Sequence, residues 1–461
     1  MKKFKSFLLL MIAVTLVFSQ VPAVLAAEPI DEVRELIKDY YVEEVPLSVL
    51  SKPSIKEITK ELDPYSVHMT KEEFDRFMNS INQKLTGIGV VLEEHEKGVR
   101  VVQSISGGPA DQAGLRAGDI IIDVNGMSLA GKSAQTAASY MTGEAGTSVS
   151  VSFLQEGIGL VLTKTIIRKE ISLQNVETKW LGGNIGYIRL NSFSEDAAEQ
   201  LQKGIQTLDG AKAFIFDLRN NGGGYVSAAQ EASGLFPNVE FAFQLRERNQ
   251  EQELYEALKQ DIQFEAPVHV LVNKNSASAS ELLSASIQEQ NGAILYGQKT
   301  FGKGTTQSFF ILSDESVLKL TTTKSYSPNG TEINHIGITP NVTTEIGEEL
   351  VAAHKDHLIK MYSNYKKLPV LSEVPTTKTF TIAMNMDMNW DTVNMHNVKL
   401  IHIGGEEKEI TIQKIDDRKI KVIPKEPLLS KAEYMLVINP NWKSKSNREM
   451  KLGSYVEVSV K

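Results

Sequence analysis

Between residues 178 and 345 the chain alternates short apolar runs of β-forming residues with runs of helical period. That alternation restricts the core to strands layered against helices. Residues 184–190, 213–218 and 269–272 read as strands. Residues 195–208, 227–235 and 280–290 read as helices, and 348–366 as one more.

The flanks differ from this core. Residues 28–80 read as helical, with Ile30, Val33, Leu36, Ile37 and Tyr40 at helical spacing, a turn at Asp63-Pro64-Tyr65-Ser66 and a helix start capped by Thr70. Residues 84–170 change to short β-rich runs separated by glycine turns, with one helix expected over 133–141. Residues 376–461 show alternating runs without a long helix, which points to a β-sandwich. The expected division is 1–26, 27–83, 84–170, 171–345, 346–375 and 376–461.

The first segment has the three-part layout of a secretory leader. Lys2, Lys3 and Lys5 precede an apolar run from Phe7 to Phe18, and small residues around Val24-Leu25-Ala26 place the cleavage site after Ala26. The mature chain is therefore expected outside the cytoplasm; an uncleaved leader would keep it at the membrane. The formal net charge is −8 and grows more negative without the leader. An acidic chain with no basic cluster is a poor nucleic-acid ligand. The sequence has no cysteine, which excludes disulfides, thiol catalysis and thiolate metal sites.

The chemistry-bearing residues fall in three segments. In Leu271–Glu281 a strand runs through a tight turn into a helix, and Ser278 stands where the helix begins. A nucleophile there gains from the positive end of the helix dipole, and the Ala279 N–H is placed to meet an oxyanion. Ser278 and Glu281 equally have capping-box spacing, and Ser276 and Ser280 compete as nucleophiles. The second segment sets Lys303 between Gly302 and Gly304. A lysine buried beside a serine hydroxyl loses hydration, its pKa falls, and the neutral amine can take the hydroxyl proton. Gln307, four residues on, can orient that amine. Gly297–Lys303 also fits the start of a phosphate-binding loop, but Gly304 stands where the magnesium-binding hydroxyl is required. In the third segment, Phe214–Leu218 leads into Arg219-Asn220-Asn221-Gly222-Gly223-Gly224, whose glycines expose N–H groups able to bind an oxyanion.

Together, Ser276-Ala277-Ser278-Ala279-Ser280-Glu281, Phe301–Gln307 and Asp217–Gly224 resemble the carboxyl-terminal processing peptidases, the tail-specific proteases of family S41. That family separates its serine and lysine by 25 residues and places a glutamine four later, as Ser278, Lys303 and Gln307 stand here. The resemblance covers about residues 30–345, including Leu62–Ser66 and Tyr187–Phe193. It implies Ser278 as nucleophile, Lys303 as general base and Gln307 as the lysine-orienting residue. The implied oxyanion hole consists of the Ala279 N–H with that of Gly223 or Gly224. The implied architecture is a multidomain α+β protein. It comprises a crotonase-like α/β protease core, an N-terminal helical region, an inserted PDZ-like domain and a C-terminal Ig-like β-sandwich.

In the PDZ-like segment, Gly87-Ile88-Gly89-Val90 offers backbone N–H groups for a terminal carboxylate, and the strand that follows can accept a peptide as an added strand. Pro109-Ala110, Ala113-Gly114-Leu115, Gly118-Asp119 and Val124-Asn125-Gly126 are similar to PDZ domains of secreted proteases. Relatives often carry Arg-Gly after the PDZ helix, where Thr142-Gly143 stands here. Trp390–Asn394 and Tyr434-Met435-Leu436 are similar to Ig-like repeats of bacterial surface proteins, which implies a spacer or a cell-wall or surface partner. The expected partners are protein or peptide substrates with accessible C-termini, and relatives frequently form homodimers. No cofactor is expected. His354 and His357 lie one helical turn apart without a third ligand and read as exposed helix residues, so no metal is expected.

Overall fold

The computed structural model describes residues 29–392, 397–440 and 442–461. The leader expected at 1–26 and part of the Trp390–Asn394 motif lie outside the described residues.

The core sheet has six strands in the order Val176–Leu181, Ile185–Leu190, Ala213–Asp217, Val268–Val272, Ile294–Gly297 and Val342–Thr343. The first pairing is antiparallel and the rest are parallel. Ala213–Asp217 and Val268–Val272 are buried at every position, as central parallel strands covered on both faces must be. One face carries the helices Ala197–Thr207, Val226–Ser233 and Ala279–Glu289, packed around Phe216, Phe236, Phe264 and Leu283.

The other face carries the helix Glu349–Met361, whose Ala353 and Leu358 lie over Ile215 and Leu271. Its far side is covered in turn by Ile401, Met435, Val437 and Tyr455 of the C-terminal unit. The helix ends at Met361, short of the expected 366, and the segment expected as a helical linker over 346–375 holds two short strands as well. Lys366–Lys367 and Leu371–Val374 both pair with the final strand Ser454–Val460, because that strand offers them a free edge. The sandwich layer thus extends upstream of residue 376. It consists of this six-stranded sheet and a three-stranded one around Trp442, Val422 and Leu400.

The covering also corrects the reading of the two histidines. His354 and His357 are buried rather than exposed, because both faces of their helix are occupied. His354 bonds the Gly182 carbonyl at 2.8 Å, and His357 bonds that of Phe214 at 3.0 Å while stacking on His269 with centroids 3.4 Å apart.

A second sheet joins the N-terminal region to the core. Val67–Met69 pairs with Val317–Tyr326, which also pairs with Thr305–Ile311 and Phe241–Glu247. Val33, Ile37, Ile55 and Ile58 of the N-terminal helices pack on Leu318 and Leu320 of that strand. A two-stranded ribbon, Lys84–Gly87 with Lys169–Ser172, leads into and out of a six-stranded domain with its own core of Val99, Leu115, Ile121 and Phe153.

Candidate active site

Three adjacent parallel strands deliver the chemistry-bearing segments from their carboxyl ends, where open α/β sheets bind ligands. Ala213–Asp217 leads to the glycine run, Val268–Val272 to Ser278 and Ile294–Gly297 to Lys303. Ser278, Lys303, Gln307 and Gly222–Gly224 line one cavity of about 620 Å³. A larger cleft of about 940 Å³ lies at the opposite ends of the strands, lined by Phe236, Phe264, His269 and Lys360 among others, and contains none of the expected site residues.

Ser278 has φ 55° and ψ −116°, a backbone conformation that side chains other than hydrogen strongly disfavour. Surrounding bonds hold it there. Its N–H donates to Glu281 Oε2 at 2.8 Å, and its carbonyl accepts the Glu281 and Leu282 N–H groups at 2.7 and 3.0 Å. The neighbouring serines are occupied structurally. Ser276 donates to the Leu218 carbonyl at 2.8 Å and Ser280 to that of Asn221 at 2.9 Å, tying the turn to the glycine loop. Ser278 is the serine of the three that lines the cavity. Ala279 opens the helix, and its N–H is one of the first-turn donors that a helix leaves without an intrahelical acceptor.

The geometry separates the two candidate glycines. A Cβ built on Gly223 would stand 2.9 Å from Ser278 Cβ and 3.0 Å from Ala279 N, so Gly223 backs directly onto the serine. A Cβ on Gly224 would instead meet the Phe193 carbonyl oxygen at 2.2 Å, away from it. The Gly223 N–H donates to Asn221 Oδ1 at 2.9 Å. Below this loop, Arg219 bonds Asp217 and reaches Glu349 at 2.9 Å, while Tyr187 donates to Asp217 at 2.7 Å.

The Lys303 ammonium donates to Gln307 Oε1 at 3.0 Å and lies 4.8 Å from the centre of the Tyr65 ring. Its hydrogen bond thus runs to Gln307 rather than to Ser278, with both groups facing the shared cavity. Burial pushes its pKa down to about 8, helped by the charge of Lys319 and opposed by Asp63 and Glu281.

Glu281 does more than its capping spacing implied. Fully buried, it accepts Thr300 Oγ1 and Gly302 N at 2.6 Å each on Oε1, and Ser278 N and Lys303 N at 2.8 Å each on Oε2. Further residues at this site were not assigned a role from sequence. Asp63 holds the turn that presents Tyr65, accepting Tyr65 N at 2.8 Å and Thr321 Oγ1 at 3.0 Å. Lys319 lines the cavity from the strand opposite Gln307. The helix Lys71–Ile81 places Phe77, Met78 and Ile81 along the cavity wall, and Ser192 donates to the Ile81 carbonyl at 2.7 Å. An extended segment alternating apolar and polar residues gave no sign of Lys319, and only the turn chemistry of Asp63 was visible.

Away from this cavity, Gly87-Ile88-Gly89-Val90 leads into the strand Val90–His95, which lies at the edge of its sheet. The helix Ala134–Met141 lies against that strand, with its carboxyl end near Gly87. Thr142 is its C-cap, and the helix end is held by Arg168, which donates to the carbonyls of Tyr140 and Met141 at 3.0 and 3.1 Å.

Comparison with known proteins agrees with both parts. Residues 184–344 match Peptidase family S41 and residues 100–154 match the PDZ domain. The carboxy-terminal processing protease CtpA of Bacillus subtilis is 33% identical over 78% of this chain and 74% of its own length. CtpB of the same organism is 34% identical over 69% of this chain and 67% of its own. Among solved structures, a photosystem II D1 C-terminal processing protease is similar, with 24% identity and a TM-score of 0.45, covering 72% of this chain and 96% of that one. With the serine, lysine and glycine segments gathered at one sheet end and relatives matching over more than two thirds of its length, the chain belongs to the carboxy-terminal processing serine proteases of peptidase family S41 and carries a PDZ domain.

Proposed function

We propose that the chain is an extracytoplasmic serine endopeptidase that cuts exported proteins with a Ser278–Lys303 dyad. The supporting observation is a desolvated lysine and a strained helix-cap serine facing one cavity, with a glycine loop packed on the serine. Neutral Lys303 takes the Ser278 hydroxyl proton as Oγ bonds to the scissile carbonyl carbon. The resulting oxyanion receives the Ala279 N–H and the Gly223 N–H, the latter exchanging Asn221 Oδ1 for the substrate oxygen. The C–N bond then breaks as protonated Lys303 gives its proton to the departing amine. Water repeats the sequence on the acyl-enzyme, with Lys303 again as base. Gln307 keeps the amine on the serine side of the cavity.

The PDZ domain captures the substrate C-terminus at residues 87–90, where the edge strand Val90–His95 and its neighbouring helix form the groove. In this reading the core is crotonase-like. The C-terminal sheets form an Ig-like module that serves as a spacer or meets a cell-wall partner, and the mature chain is released after Ala26 and acts as a homodimer. A non-catalytic peptide-binding protein would retain the groove without the dyad. Mass spectrometry of an unfolded, apolar-tailed polypeptide incubated with the mature chain, Ser278→Ala and Lys303→Ala separates the two. Fragments from the unaltered chain alone support the peptidase, and identical spectra from all three refute it.

A further inference from the structure

The active-site cavity contains a second lysine that this peptidase chemistry does not use. Across the antiparallel pair, Gln307 lies opposite Thr321 and Phe309 opposite Lys319. Strand alternation puts these four side chains on one face. Lys319 therefore stands one pleat, roughly 7 Å, from the glutamine that holds Lys303.

Its surroundings are apolar on two sides. Its ammonium lies 4.4 Å from the centre of the Phe77 ring. Phe77 and Phe74 pack against Phe309, with centroids 5.9 and 5.2 Å apart. Among the described residues, Lys319 forms no ion pair. The carboxylate that acts on it, Asp63, is already engaged by Tyr65 N, Ser66 N and Thr321 Oγ1 on one oxygen and by the Ser66 hydroxyl on the other. Ring faces attract a cation but do not replace its counter-ion. A partly desolvated ammonium in an open substrate cavity, walled by aromatic rings, is matched by a carboxylate on an aliphatic stem.

We propose that Lys319, with Phe77 and Phe309, forms a subsite that binds a carboxylate of the substrate beside the scissile bond. The carboxylate comes either from an acidic side chain or from the chain terminus. This inference rests on the peptidase reading of Ser278 and Lys303.

The test uses the mature chain, Lys319→Met and Lys319→Arg, at about pH 8, near the midpoint at which Lys303 becomes neutral. Two sets of peptides carry one mapped cleavage site. The first exchanges Glu for Gln at each flanking position, and the second ends in a free acid or an amide. For the unaltered chain, kcat/KM favours the carboxylate member of one set by at least about tenfold. Which set shows the preference identifies the source of the carboxylate. Lys319→Met brings that ratio close to one whatever its absolute rate, and Lys319→Arg, the folded control that keeps the charge, retains it. Ratios near one for the unaltered chain in both sets would overturn the subsite. So would a preference that survives Lys319→Met, which would belong to the PDZ groove. A chain that cleaves neither these peptides nor an unfolded protein would overturn the peptidase reading, and the subsite with it.

Discussion

The backbone N–H of Ser278 and the backbone N–H of Lys303 donate to the same oxygen, Oε2 of Glu281, each at 2.8 Å. One buried carboxylate thus fixes the main chain of both proposed dyad members. Its other oxygen takes two more donors from the lysine loop. Replacing it by an amide turns one acceptor into a donor aimed at N–H groups. Glu281→Gln is therefore expected to cost about 2 kcal/mol of stability, seen in urea unfolding. It should also lower kcat/KM about 100-fold, because an ångström of misalignment is that expensive. Wild-type kinetics in this variant would remove Glu281 from the account.

The φ of 55° at Ser278 is paid for by its surroundings. Ser278→Gly should raise stability by about 1 kcal/mol despite its greater unfolded-state entropy, while activity disappears. Ser278→Ala keeps the strain and should leave stability near that of the parent. Chemical denaturation of the three chains measures this directly. A glycine variant less stable than the alanine variant would show that the serine backbone is not strained.

Gly223 leaves no room for a side chain beside the serine: its added Cβ would stand 2.8 Å from the Ala277 carbonyl oxygen and 2.9 Å from Ser278 Cβ. Gly223→Ala should cut kcat by roughly 100-fold or more, the scale of losing an oxyanion donor. Gly222→Ala, where an added Cβ meets nothing within 4 Å, should be milder. Equal losses in the two variants would argue against a special position for Gly223.

Stability should fall on acidification for a reason unrelated to catalysis. Burial pushes His269 and His354 down to about 4 and His357 to about 3. Between about pH 6.5 and 4 the unfolded chain therefore binds protons that the folded chain refuses. Each histidine contributes a loss of up to about 1.4 kcal/mol per pH unit in that window and nothing above it. Asp356 and Glu349, held low by their hydrogen bonds against burial, add a loss in the same direction as the pH falls through their own depressed values. Urea midpoints should hold from pH 8 to 7 and drop steeply from about pH 6 to 5. A midpoint independent of pH across that range would contradict burial of the three rings.

The sequence showed the strand–turn–helix around Ser278, the glycine-flanked lysine and the spacing between them, because each is a local pattern. Helical and strand periods also located the core elements to within a few residues. What escaped were relations made by distant segments. Tyr65 meets Lys303 only because Val67–Met69 pairs with Val317–Tyr326, some 250 positions later in the chain. Glu281 looked like a helix cap, and its bonds to Thr300, Gly302 and Lys303 exist only once two loops meet. His354 and His357 looked exposed because nothing in their own helix reveals that His354 meets Gly182 and Gly404, or that His357 bonds Phe214 and stacks on His269 of the core sheet.

The central claim is that an uncharged Lys303 activates Ser278, and the pH dependence of kcat/KM tests it most directly. His269, His354 and His357 are neutral above about pH 5, and no histidine lines the cavity among the described residues, so the lysine should dominate the neutral-to-alkaline profile. Activity should rise with pH, pass its midpoint near the value of about 8 at which Lys303 loses its proton, and then level off. Lys319→Met, which removes a repelling charge, should move that midpoint upward. A profile that is flat or falling between about pH 6 and 9 would mean that Lys303 is not the base.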